Sequence, residues 1–338
     1  MTTEAFDIVI PLYRIRWNTQ AVMEGLTYHY QPRSIHIVAP SEQVDELNKL
    51  IGDWDTAPIF THKEEVIFVE QCGLTKDDIC NELDLGESLY TPGWFYQQLL
   101  KLCAYEGIKD LTEWYFVWDS DLLPVATWPL TQIKDGKKKP SFALIQHNGW
   151  GNPTIVGKWE KWINSILKVE GLTHHEGTFI PHHMCFKQEH LKSLTAEVNK
   201  YYKSDDHWLK LMMRSANEFG TFSEYWCYVS WVAEKAPDDL SFYPYDLYGS
   251  TTERFFDDGT GLFSKTFRSK NGIADTAPNF SPNYKDVEAF IKAEYGLDNL
   301  PSSLSFESSP RHLKKDEKNM HIEELRSRWN PRQLTTAK

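Results

Sequence analysis

Along the chain, runs of apolar residues of strand length alternate with stretches in which apolar positions recur at helical spacing. Phe6 to Leu12 is the first such run and closes in Pro11-Leu12-Tyr13-Arg14; a helical stretch follows from Thr19 to about Tyr30. Ser34-Ile35-His36-Ile37-Val38-Ala39-Pro40 reads as a second buried strand stopped by proline. Ser41 caps the next helix, where Val44, Leu47, Leu50 and Ile51 fall on one face. Ile59-Phe60 and Val66-Ile67-Phe68-Val69 read as shorter strands. Thr91 as N-cap and Pro92 at the first helical position open a helix to Glu106. Phe95, Leu99, Leu102 and Cys103 form its apolar stripe; Trp94, Gln97, Gln98 and Lys101 lie on the other side. Trp114-Tyr115-Phe116-Val117-Trp118 is a strand that breaks abruptly into Asp119-Ser120-Asp121-Leu122-Leu123-Pro124.

This alternation predicts the α/β class, a central and mostly parallel sheet flanked by helices. In such sheets ligands sit at the carboxyl ends of the strands. Pro11–Arg14, Ala39-Pro40 and Asp119–Asp121 then lie along one rim.

Beyond the aspartates the pattern is less regular. Ser141 to Ile145 reads as a strand ending in Gln146-His147-Asn148, and Lys158 to Val169 as a helix. Thr178 to Phe186 leads into a helix through Leu191 and Leu194. Another helix runs from about Trp208 to Phe219, and an aromatic one follows the Ser/Thr-rich start Thr221-Phe222-Ser223-Glu224. Lys137-Lys138-Lys139 reads as a loop. We divide the chain into a domain over residues 1–260 and an extension over 261–338 packed on it. From about Ser302 the composition becomes charged, and Leu313 to Trp329 fits a surface helix with frayed ends.

Composition narrows the function. The chain has 338 residues, is 41% hydrophobic and carries a net charge of −12. That length and content suffice for a packed core. The charge argues against nucleic acid as a partner, because such binding draws its affinity from Lys and Arg neutralising phosphates. The segment from Ser302 onward carries +3 against −15 for the rest. A peripheral contact with an anionic membrane surface is conceivable at that charge, but a solvated tail is the simpler expectation. Five cysteines without a CxxC pair suit a reducing, cytoplasmic setting. The N-terminus lacks a signal-peptide pattern, and no apolar run reaches the eighteen or so residues of a membrane span.

Two carboxylates one residue apart at a strand end can grip a hard divalent cation, which can in turn hold a diphosphate. The order of a strand closing in Pro-x-Tyr, alternating α/β units and a strand closing in Asp-x-Asp resembles glycosyltransferases of the GT-A fold. More narrowly, Gly93-Trp94-Phe95-Tyr96-Gln97-Gln98-Leu99-Leu100-Lys101, Trp118-Asp119-Ser120-Asp121, His182-His183-Met184 and Phe222-Ser223-Glu224-Tyr225 look like a family of bacterial and viral polysaccharide glycosyltransferases. The likeness spans roughly residues 6 to 250. It implies that Asp121 first, and Asp119 second, bind Mn²⁺ or Mg²⁺ bridging the diphosphate of a UDP- or GDP-sugar donor. It places Pro11, Tyr13 and Arg14 or Arg16 near the nucleotide, and Trp94, Gln97 and Lys101 beside the diphosphate. By helical pattern alone Lys101 is more simply a solvated side chain than a phosphate ligand.

The resemblance makes Glu224 the candidate catalytic base, since inverting enzymes of that fold carry a catalytic acid downstream of the metal motif near a helix start. Glu224 stands at a helix start among Phe222, Tyr225 and Trp226, surroundings expected to raise a carboxylate's pKa toward useful basicity. A helix-dipole role alone is the plainer alternative. The inverting pattern has two consecutive acids where this chain has Glu224-Tyr225, so inversion is only slightly favoured over retention. His182 and His183 are candidates for sugar contact or a third metal ligand. As neighbours on a strand they point to opposite faces, so at most one reaches the site. His147 and Asn148 are candidate sugar contacts, and Asp246 in Tyr243-Pro244-Tyr245-Asp246 a candidate acceptor contact. The resemblance implies a saccharide or glycoconjugate as acceptor, as in surface polysaccharide or glycan synthesis. Two other classes stay open: a metal-dependent hydrolase built on the histidines and Asp119, and a non-catalytic carbohydrate-binding protein. No H-E-x-x-H spacing supports the first.

Overall fold

The computed structural model describes residues 5–83, 92–144, 153–172, 179, 181–220, 222–244, 253–255, 257–274, 281–296, 300 and 303–306. Strands and helices alternate at first: β1 (Asp7–Pro11), α1 (Thr19–Tyr30), β2 (Ser34–Ala39), α2 (Ser41–Leu50), β3 (Ile59–Lys63), α3 (Glu64–Cys72), α4 (Lys76–Glu82), α5 (Pro92–Gly107) and β4 (Trp114–Trp118). Short strands follow: β5 (Leu122–Pro124), β6 (Thr131–Lys134), β7 (Lys137–Pro140) and β8 (Phe142–Leu144). Next come α6 (Pro153–Ile166), β9 (His183–Lys187), α7 (Gln188–Tyr202), α8 (Trp208–Phe219) and α9 (Glu224–Lys235). The described chain ends with β10 (Phe242–Pro244), β11 (Glu253–Phe255), α10 (Asp257–Lys270), α11 (Tyr284–Tyr295) and β12 (Ser303–Phe306).

The central sheet has the order β3-β2-β1-β4-β9. The first four strands are parallel and β9 runs antiparallel to β4. This is the α/β architecture that the alternation predicts. The period of two along each strand divides the core. Ile8, Ile10, Ile35, Ile37, Phe116 and Trp118 face the side built with α1, α2 and α11, while Val9, Val38, Tyr115 and Val117 face the side built with α5, α7, α8 and α9. Strands covered on both faces read as near-continuous apolar runs, which is why they were legible.

The connection reverses at β1. The chain adds β2 and β3 on one side of it and then returns to place β4 on the other. That reversal leaves a crevice at the carboxyl ends of β1 and β4.

One cap and two elements depart from expectation. Ser41 is the first residue of α2, whose cap position is Pro40 with no side-chain hydrogen bond. Val66–Val69 is helical, within α3, rather than a strand. A short apolar run does not by its spacing distinguish a buried helical turn from a strand. Here α3 packs against α5, and Ile67 fits where Gly107 has no side chain: a Cβ there would lie 2.5 Å from Ile67 Cδ1. Lys137–Lys139 is not a loop but part of β7, paired antiparallel with β6. The turn between them is Asp135-Gly136, with φ of +54° and +71°. An Asp-Gly pair with both residues left-handed is the tight turn whose twist matches a hairpin.

Beyond residue 261, α11 packs on α1, where Gly25 leaves room for the Tyr284 ring. β12 enters a small sheet between β11 and β5. The first residues of the segment read as a charged tail, Ser303–Phe306, are this buried strand; the rest, with the helix expected over Leu313–Trp329, lies outside the described residues. Among the described residues, no helix is long and apolar enough to cross a membrane.

Candidate functional site

The carboxyl end of β4 delivers Asp119 to the rim, and the next turn is fixed by backbone hydrogen bonds. Asp119 N–H donates to the His182 carbonyl at 2.9 Å, and Leu122 N–H to the Asp119 carbonyl at 3.0 Å. Three further elements converge on this point. Lys101 comes from α5, Glu224 and Tyr225 from the first turn of α9, and His182 from the residue before β9.

Lys101 is the hub. Its ammonium lies 2.6 Å from Asp119 Oδ1 and 2.7 Å from Glu224 Oε1, with only 4% of the side chain exposed. The Tyr225 ring lies 4.5 Å from the same ammonium, and its hydroxyl donates to Asp119 Oδ1 at 3.1 Å. His182 Nδ1 stands 3.1 Å from the other oxygen, Asp119 Oδ2. Burial by itself would lower the pKa of Lys101, but Asp119 and Glu224 outweigh it and hold the ammonium well above its ordinary value. Burial pushes the Asp119 carboxyl up, yet Lys101 and His182 bring it well below the usual carboxylate range. Burial, with Asp119 adjacent, drives the Tyr225 phenol up, so it stays a hydrogen-bond donor.

Helix α9 is positioned by a reciprocal fit with α5. Ser223 caps it by accepting from Trp226 N–H, and Gln98 Oε1 accepts from Glu224 N–H at 3.0 Å. A side chain from α5 thereby satisfies one of the unpaired donors at the start of α9. One turn of α5 supplies both that acceptor and Lys101. The polar stripe of α5 therefore faces inward: Gln98 is 1% exposed and Lys101 3%. This corrects the pattern-based expectation of a solvated lysine. A second correction concerns Glu224, whose surroundings are not only aromatic; its carboxylate is met directly by an ammonium.

The two histidines have separate roles. His182 has a φ of +64°, in the left-handed region that non-glycine residues rarely occupy. It precedes the strand rather than lying within it, and its ring turns to Asp119. His183 is a core residue, stacked on Trp118 at 4.7 Å with Trp128 edge-on at 4.6 Å. Burial drives its pKa down to about 3, so it is neutral. It does not reach the rim cluster.

The remaining candidates are distributed along the rim. Pro11 ends β1 in the core, and Tyr13 is 72% exposed just beyond it. Arg14 is exposed; Arg16 donates to the Phe306 carbonyl at 2.6 Å. Phe306 N–H in turn donates to the Asp121 carbonyl at 3.0 Å. β12 thus ties the loop after β1 to the aspartate loop. Trp94 and Gln97 are half-buried on α5, and Asp121 is half-buried beside Asp119. His147, Asn148 and Asp246 fall outside the described residues. The sequence reading missed Tyr225 and Gln98 as members of the cluster. Both signals were present: Gln98 is three residues before Lys101 on the same face, and Tyr225 occupies the position where a second acid would stand.

Fold and site together define an α/β protein with a buried ion cluster at the carboxyl rim of its sheet. The chain belongs to the DUF6492 family, described as a family of unknown function, which matches residues 14–267 and so includes every member of the cluster. Comparison with curated proteins gives no match. Among solved structures, mouse xyloside xylosyltransferase 1 in its apo form is similar over 90% of this chain and 98% of its own, at 9% identity and a TM-score of 0.40. The galactosyltransferase LgtC in complex with donor and acceptor sugar analogs is similar over 96% of this chain and 95% of its own, at 11% identity and a TM-score of 0.38. The PaToxG glycosyltransferase is similar over 85% and 87%, at 10% identity and a TM-score of 0.36.

Proposed function

We propose that the protein transfers a sugar from a nucleoside-diphosphate donor, a UDP- or GDP-sugar, to a hydroxyl of a saccharide or glycoconjugate. The observation that carries this reading is the buried Asp119–Lys101–Glu224 cluster at the end of β4, beside the crevice where the sheet reverses direction. A glycosyl donor departs as a nucleoside diphosphate, and negative charge builds on its phosphate oxygens. A preorganised ammonium in a site of low polarity stabilises such charge without reorganising. Lys101 is held in that way.

The side chains beside it suit a divalent cation. Asp119 Oδ2 and His182 Nδ1 stand 3.1 Å apart, and Asp121 follows on the same loop. Carboxylate and imidazole donors accommodate Mn²⁺, and carboxylates also suit Mg²⁺. Among the described residues no three such side chains converge, so the donor's diphosphate would complete the ligand set. When bound, the cation would neutralise the diphosphate and favour its departure. Asp121 and Asp119 are the residues that would hold it, with His182 oriented against Asp119.

Glu224 takes the acceptor proton. Its carboxylate lies at the start of α9 facing the cluster, and a base there acts as the acceptor oxygen attacks the anomeric carbon. With Glu224 in that role the reaction is a single displacement and the anomeric configuration inverts. His183, enclosed by tryptophans, weighs against a hydrolase built on the histidine pair.

The test is transfer from a panel of nucleotide sugars, with the anomer of the product read by NMR. Asp121→Ala, folded as judged by circular dichroism, is expected to lose at least about a hundredfold in rate. Full activity in that variant, or undiminished activity in chelator, removes the aspartates from the reaction. A product of retained configuration removes Glu224 as the base of a single displacement.

A further inference from the structure

Beyond the carboxyl ends of β1 and β3, four elements gather a second group of side chains outside the ion cluster. Tyr13, in the loop after β1, leaves most of its ring in solvent. The ammonium of Lys76, from the first turn of α4, lies 4.9 Å from the centre of that ring and 5.2 Å from the ring of Tyr96 on α5. It also donates to Glu64 Oε1 at 3.2 Å. Glu64 opens α3 directly after the carboxyl end of β3 and is 6% exposed, whereas the Lys76 side chain is 29% exposed. A buried carboxylate tied to a part-exposed ammonium therefore sits beside an open aromatic face. Tyr96 and Lys101 are five residues apart on α5, a rise of about 7.5 Å. The two groups are thus offset along one helix, with the aromatic group toward its N-terminal end.

Resting on the donor reading above, we propose that Tyr13, Lys76 and Glu64 form a nucleobase subsite that selects guanine. An exposed aromatic face stacks any base, since every base has a π-face. Selection comes from the edge. A carboxylate only accepts hydrogen bonds and an ammonium only donates them. Guanine presents two adjacent N–H donors, at N1 and N2, with the O6 acceptor next to N1. The first two match the two oxygens of Glu64. O6 then meets Lys76, whose ammonium lies beside Oε1 as O6 lies beside N1. Uracil, adenine and cytosine each lack that pair of neighbouring donors, and hypoxanthine lacks the N2 amino group alone. Lys76, by its contact with the Tyr13 ring, also sets the plane on which the base lies.

Calorimetric titration of the full chain with GDP, IDP, UDP, ADP and CDP in MnCl₂ tests this. GDP is expected to bind at least about tenfold more tightly than the other four, because a site built to hydrogen-bond a group rejects analogues that lack it. Glu64→Gln should abolish that preference while leaving inorganic pyrophosphate binding unchanged; because Glu64 is buried against Lys76 the variant melts lower, and binding is measured well below that temperature. Tyr13→Ala, at an exposed position, should weaken all five nucleotides alike. A preference for another base, or a guanine preference that survives in Glu64→Gln, overturns the subsite and leaves the donor reading standing. Absence of binding by every nucleotide overturns both.

Discussion

An ammonium that touches two carboxylates while almost wholly buried is costly to unbalance, and Lys101 is such a group. Taking away one member of a buried ion cluster leaves the others uncompensated, at about 3–5 kcal/mol. Lys101→Met is therefore expected to lower stability to urea by roughly that amount and to abolish transfer. Adding Glu224→Gln should recover part of the stability and none of the activity. A Lys101→Met variant as stable as the native protein would show that the cluster is not a closed network. His183 makes a second prediction at this scale. Its folded pKa of about 3 lies below the ordinary histidine value of 6.5, so the unfolded chain binds the proton first. Stability is then complete above about pH 6.5 and falls as pH drops toward 3, by up to about 1.4 kcal/mol per unit from this residue. His62 and His29, each pushed by burial to about 4, act in the same direction. Urea midpoints from pH 7 to 4 should decline, and less steeply in His183→Phe; identical slopes would contradict the assignment.

At the scale of elements, the site depends on how α5 and α9 meet. Gly171 lies against Trp226 in the first turn of α9, and a Cβ there would lie 2.1 Å from the indole ring. Trp226 Nε1 donates to the Leu172 carbonyl at 2.8 Å, which fixes the ring. Gly171→Ala must displace that ring and with it the start of α9, at a cost of roughly 1–3 kcal/mol. It should reduce transfer although Gly171 touches no member of the cluster, and unaltered kinetics would show that α9 tolerates the shift. The same elements show what could be read in advance. Strands buried on both faces announced themselves as apolar runs, and Trp208–Phe219 was legible as a helix from its spacing. Val66–Val69 was not, because four apolar residues satisfy either period until Gly107 and Ile67 are seen to interlock. The Asp135-Gly136 hairpin was legible in principle, since that dipeptide is its own signal. The inward turn of Gln98 and Lys101 was hidden, because a polar stripe looks solvated until an opposing helix start and a carboxylate are brought to it.

For the whole molecule, the order of the sheet matters more than any single motif. Reversal at β1 places the ends of β1 and β4 side by side, so residues more than a hundred positions apart, Tyr13 and Asp119, line one crevice. β12 then secures the rim from the far end of the described chain, through Phe306 to Asp121 and Arg16. The strongly acidic composition is compatible with a polyanionic donor only if a local cation offsets it; Lys101 is matched by Asp119 and Glu224 and Lys76 by Glu64, so that charge falls to the proposed divalent cation. A ligand that binds the folded state alone stabilises it by about 2.7 kcal/mol at a hundred times its dissociation constant, which shifts a melting point by several degrees. Melting the full chain against a panel of nucleotide sugars, with and without Mn²⁺, therefore tests the central claim most directly. The account predicts that a nucleotide sugar raises the melting temperature, more with the cation than without, and that the shift vanishes in Asp121→Ala. No shift with any nucleotide sugar at millimolar concentration would contradict it.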